Sequence, residues 1–189
     1  AGEGGFMAFR KIEVGDYAPY SVFVDQDGQP ASLVELPYAG SYTGFAVLRD
    51  VHHPATGTFL TALNGAVPNF AAVGAKLIVS ACMPAADLMN FWKDLTPGFP
   101  MLADNGGECA EAFGLGTDGG AGMIVILDRN SHVIAKLSAL PGVAPTAEAL
   151  DVIAEHANDE ATGAAPYHAP ILLIPRLFEP ELCRDLIEF

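Results

Sequence analysis

The chain has 189 residues, about half of them apolar, with 9 basic and 23 acidic side chains and a net charge of −14. This length and composition fit one globular domain with a sizeable core plus a short extension, and they exclude a disordered chain. The negative field repels nucleic acid and anionic membrane, and no apolar run reaches the ~18 residues of a membrane span.

In chain order, residues 1–10 read as a leader, in part a tag remnant, without the basic and apolar regions of a signal peptide. SVFVDQDGQPASL, from Ser21, alternates and turns at Asp27-Gly28, which predicts a hairpin. YTGFAVLRDV is a buried strand, at whose end His52 and His53 finish an edge. TFLTALNGAVPNFAAVG has helical spacing, but Asn64-Gly65 and Pro68 predict a broken or kinked helix. AKLIVSA (75–81) is a second buried strand, and PAADLMNFWKDL (84–95) a helix with Pro84 in its first turn. FPMLAD is a short extended piece, and ECAEAFGL a short helix closed by Gly114. GMIVILD and HVIAKLS are strands joined through Arg129-Asn130, and APTAEALDVIAEHAN is a helix with Leu150, Ile153 and Ala154 on its apolar face.

Strands and helices thus alternate, and an antiparallel hairpin and a last helix follow. This order predicts an α/β fold, a mixed central sheet with helices on both faces. The unbroken apolar runs GFAVL, KLIVS and MIVIL fit strands covered on both sides. Residues 158–169 read as a linker rich in small residues, and 170–189 restart with a strand and a helix.

The three cysteines, Cys82, Cys109 and Cys183, are far apart and form no CxxC pair, so a reducing cytoplasm is expected rather than a disulfide framework. No cysteine and histidine spacing makes a metal site.

Six stretches in order resemble the peroxiredoxin family, the alkyl hydroperoxide reductase and thiol-specific antioxidant group of the thioredoxin-fold lineage. They are VGDYAPYSVFVDQDGQPASL, PATGTFLT, AKLIVSA, FPMLAD, CAEAFGL and MIVILDRNSHVIA. The resemblance covers residues 11–157 and implies a thioredoxin-like fold. It also implies an active-site loop in which proline, threonine and cysteine stand at fixed spacing, with an arginine that activates the thiolate and binds peroxide. Here Pro54 and Thr58 match, Thr61 stands at the cysteine position, and Gly122 stands at the arginine position, six residues before Asp128. A threonine hydroxyl is a poor nucleophile without a strong base and forms no sulfenic acid, so the loop reads as vestigial. His53 is close in sequence and offers Thr61 a base, against the alternative that it finishes a strand edge.

Cys82 is the redox candidate, because it lies between a strand and a helix start that would favour a thiolate. The alternative for Cys82 is a small apolar residue ending a strand, and Cys109 reads as packing.

The segment HAPILLIPRLFEPELCRDLIEF resembles the first strand and helix of prolyl-4-hydroxylase-like 2-oxoglutarate/Fe(II) oxygenases. That chemistry needs two histidines and a carboxylate on one face of iron. No His-x-Asp occurs in the chain, so Fe(II) and 2-oxoglutarate are expected only with a downstream oxygenase domain. The alternative for this segment is a strand and helix that pack back on the domain.

Three functions are therefore expected in competition. The first is a domain without peroxidase activity that serves as the N-terminal accessory or homodimerisation module of an oxygenase. The second is a thiol peroxidase or oxidoreductase working through Cys82. The third is a module that holds a neutral small ligand or peptide in a pocket emptied near Thr58, Thr61 and Gly122.

Overall fold

The computed structural model describes residues 11–35, 40–115, 122–139 and 143–161. The chain divides into two compact units, Ala1–His156 and Ala157–Phe189. The leader 1–10, Cys183 and the oxygenase-like segment 170–189 lie outside the described residues.

Seven strands of the first unit form one mixed sheet in the order β2-β1-β5-β4-β3-β6-β7. The hairpin is β1 (Phe23–Asp25) with β2 (Pro30–Ala31). Asp25 makes its turn: Oδ1 accepts the backbone N–H groups of Asp27 (2.9 Å) and Gln29 (2.8 Å). β3 (Thr43–Leu48) and β4 (Lys76–Ala81) run parallel at the centre, and β5 (Met101–Ala103) continues the parallel part. β6 (Met123–Leu127) and β7 (Val133–Ser138) add an antiparallel hairpin beside β3. Every residue of β3 and β6 is buried, as expected of strands covered on both faces.

The helices are α1 (Thr56–Ala72), α2 (Ala85–Leu95), α3 (Glu108–Ala112) and α4 (Thr146–Ala161). α1 lies against the face that carries Gly44, where Phe70 approaches so closely that a Cβ on Gly44 would sit 2.6 Å from its ring. The opposite face holds Phe45, Val47, Ile78, Leu102 and Val125 against Cys109, Ala110 and Phe113 of the α3 region.

Four expectations change. α1 runs unbroken through Asn64, Gly65 and Pro68. Pro68 faces solvent, while Phe59, Leu60, Leu63, Ala66 and Phe70 are buried. An interior proline costs about 3 kcal/mol, and burying each large apolar side chain returns about 1.5–3 kcal/mol, so packing wins. Pro84 stands just outside α2, as its extended N-cap. His52 and His53 lie in the turn before α1, not on a strand. α4 buries Ala149 and Ile153, leaves Ala154 exposed, and extends to Ala161 in the stretch read as linker.

The tight contact at Gly44 makes a prediction. Gly44→Ala forces Phe70 or the sheet to move and should lower stability by about 1–3 kcal/mol in thermal or urea unfolding. Gly57→Ala, which meets nothing within 4 Å in the first turn of α1, should raise it slightly.

Candidate functional site

The parallel register of the two central strands builds the site. Leu48 pairs with Ala81, and the Cys82 N–H donates to the Leu48 carbonyl (3.0 Å). The next residue on each strand therefore emerges at the same sheet end, the carboxyl end where open α/β sheets hold their ligands. Those residues are Arg49 and Cys82.

Gly107 closes the site from the other side. It adopts φ +75, and a Cβ there would lie 2.7 Å from Cys82 Sγ and 3.3 Å from Arg49 Nη1. Thiol and guanidinium are thus no more than 6.0 Å apart, and no side chain fits at 107. Arg49 is half-buried and donates a long bond from Nη1 to the Gly107 carbonyl (3.5 Å).

Asp104 lies behind the thiol. It is buried and accepts the N–H groups of Cys109 (3.2 Å) and Ala110 (3.0 Å), which caps α3. Burial, then the Asp104 carboxylate, raise the Cys82 thiol above its ordinary range, and Arg49 pulls the other way. The same two causes raise Cys109 well above it. The low-pKa thiolate expected from the helix start after Cys82 meets opposing influences here, burial first and then a nearby carboxylate. Cys109 is a packed core residue, as expected.

Arg49 and Cys82 open onto a cleft of about 480 Å³, which also reaches Asp50, His52, Asp87 and Phe91. Pro54, Thr58, Thr61 and Gly122 do not line it. Pro54, Thr58 and Thr61 are exposed. Thr61 is the sixth residue of α1, and its hydroxyl donates to the Gly57 carbonyl of its own helix (2.8 Å). His53 Nδ1 accepts the Ala55 N–H (3.2 Å), so this ring nitrogen serves the turn rather than Thr61. The first turn of α1 instead buries Thr56, whose hydroxyl donates to the Asp50 carbonyl (2.8 Å).

At Gly122 a Cβ would lie 2.6 Å from the Val47 carbonyl and 3.0 Å from Leu48. At Gly122 the atoms of Val47, Leu48 and Phe59 thus stand where a side chain would begin. The arginine that does reach the cleft, Arg49, escaped the sequence analysis. Its only signal is a lone charge directly after an apolar strand. Among the described residues, no three His, Cys, Asp or Glu side chains converge to hold a metal ion, and no helix is long and apolar enough to cross a membrane.

Comparison with known proteins agrees with this fold. The model of the AhpC/TSA family matches residues 14–139. The fold is similar to that of a peroxiredoxin Q mutant from Xylella fastidiosa, at 14% identity and TM-score 0.65, over 77% of this chain and 98% of that one. It is also similar to peroxidoxin BcpB of Mycobacterium tuberculosis, at 19% identity and TM-score 0.64, over 76% and 97%. A peroxiredoxin-like protein from Aquifex aeolicus gives 18% identity and TM-score 0.63, over 78% and 90%. At these identities the likeness shows the thioredoxin-like α/β fold. No curated protein matches the chain.

The surroundings of Cys82 fix its expected titration. The pH midpoint of its alkylation by iodoacetamide, followed by peptide mass mapping to separate it from Cys109 and Cys183, should lie above the ~8.5 of a free thiol. Arg49→Gln should move it higher still, because the one lowering charge is removed. Both raised thiols also make the folded state lose stability as pH climbs past about 8.5, where the unfolded chain releases these protons first.

Proposed function

The chain belongs to the AhpC/TSA family, and from that membership we propose that it works as a peroxiredoxin-like domain without the peroxidase reaction. The observation that carries this reading is the absence of any cysteine from the turn before α1 and from α1 itself. A peroxide-reducing thiol needs a thiolate at neutral pH, and the thiol that lines the cleft among the described residues, Cys82, is pushed the other way by burial and then Asp104.

We assign the domain to an accessory and dimerisation role beside a 2-oxoglutarate/Fe(II) oxygenase. Support for the oxygenase comes from the sequence of residues 170–189. Fe(II) and 2-oxoglutarate would be held outside the described residues. Support for pairing comes from Val14, Tyr17, Tyr20 and Val22, which are 61–69% exposed along one N-terminal segment. Exposed apolar side chains grouped in this way mark contact surfaces.

The second reading is thiol-dependent peroxide reduction through Cys82, favoured by the guanidinium within 6.0 Å of its sulfur. Neighbours of the same fold carry the name peroxiredoxin.

Hydrogen peroxide consumption with dithiothreitol as reductant separates the two. The module reading expects no turnover above the protein-free rate for the chain or its Cys82→Ser variant. Turnover in the parent that vanishes in the variant would make Cys82 the nucleophile.

A further inference from the structure

The cleft at the ends of β3 and β4 has a charge arrangement that peroxide chemistry leaves unexplained. Among the described residues Arg49 is the one Arg or Lys on it, its guanidinium has no carboxylate partner, and its single polar contact is the 3.5 Å bond to the Gly107 carbonyl. A half-buried guanidinium with five N–H donors and one long acceptor has unused capacity in the fork geometry that carboxylates fill.

A free anion is nevertheless a poor fit. The chain carries −14, and Asp50 and Asp87 line the same cleft. Both acids are exposed at the rim, while Arg49 lies deeper. A ligand that offers a carboxylate to Arg49 and an ammonium group to the acids satisfies both signs and brings no net charge into the negative field. Between them, Phe91, Met83 and Val51 give the walls an apolar part. The volume, about 480 Å³, is that of a site for a short peptide rather than for a peroxide.

We propose that this cleft binds a small zwitterion of amino-acid to short-peptide size, with the carboxylate on Arg49 and the ammonium group facing Asp50 and Asp87. Arg49 is the specificity-determining residue, because among the described residues on the cleft it is the one permanent cation, with the fork of donors that a carboxylate fills; His52 and Asn90 offer single donors beside it. The assignment stands apart from the reactivity of Cys82, since it requires no bond to sulfur. It gives the ligand-binding role a location and a chemistry that differ from the neutral pocket expected near Thr61 and Gly122.

The test is calorimetric titration of the chain with leucylglycine, its C-terminal amide and its N-acetyl form. The free dipeptide should bind with a Kd at or below about 1 mM, and each blocked form about tenfold more weakly. Arg49→Gln should cut binding of the free dipeptide to the level of the amide and leave the amide unchanged. Asp87→Asn, an exposed change on α2 that leaves the core intact, should cut binding of the free dipeptide and leave the N-acetyl form unchanged. Equal binding of all three forms, no heat with any of them up to about tenfold above that Kd, or an equal loss of free and amide forms in Arg49→Gln would overturn the assignment. Peroxide turnover is read in a separate assay, so failure here and failure of the module reading are distinguishable.

Discussion

The Asp104 carboxylate holds the functional end of the domain together. A buried carboxylate is costly unless its oxygens are satisfied, and here the first N–H groups of α3 satisfy them. Its own N–H donates to the Ala81 carbonyl (2.9 Å), which ties the end of β5 to the end of β4. The Gly107 N–H in turn donates to the Asp104 carbonyl (3.1 Å), folding the chain back so that Gly107 meets both Cys82 and Arg49. One charge thus caps a helix and closes a loop, and it adds to burial, the larger cause, in raising two thiols. The stabilising role and the chemical consequence cannot be separated by substitution at Asp104 alone.

The family scaffold is present, and the proposed reading gives its ligand-binding edge a different use. Strand order, the parallel centre and the closing hairpin place the usual ligand-binding edge at the ends of β3 and β4. What the edge displays is a guanidinium and a poorly acidic thiol, drawn from two strands rather than from the loop and the closing strand. Under the proposed reading this edge serves recognition: a guanidinium pairs with a ligand at neutral pH, while burial and then Asp104 push the neighbouring thiol upward.

Much of this was legible in the chain. β3, β4 and β6 announced themselves as apolar runs, and the Asp25 to Gln29 turn and the Arg129-Asn130 hairpin arose from local chemistry that tertiary contacts do not override. α1 was misread at Pro68, because a proline signal is local while the five buried side chains beneath it belong to the tertiary structure. The Arg49–Cys82 pair was hidden for a different reason. The two residues are distant in sequence, and only the register of β3 on β4 makes them neighbours. Gly122 was identified as a lost arginine position, yet sequence cannot reveal that Val47 and Leu48 already occupy the space a side chain would need. Thr61 matched a motif by spacing, and the helix start that decides its surroundings lies five residues earlier, at Thr56.

The central claim is that this fold holds its cleft thiol in an unreactive form. The most direct measurement is the single-turnover rate at which hydrogen peroxide converts Cys82 to its sulfenic acid at pH 7, trapped with dimedone and read by mass spectrometry. A rate no faster than that of free cysteine at the same pH is predicted. A rate far above free cysteine that drops in Arg49→Gln would contradict the claim and show that the guanidinium activates the thiol after all.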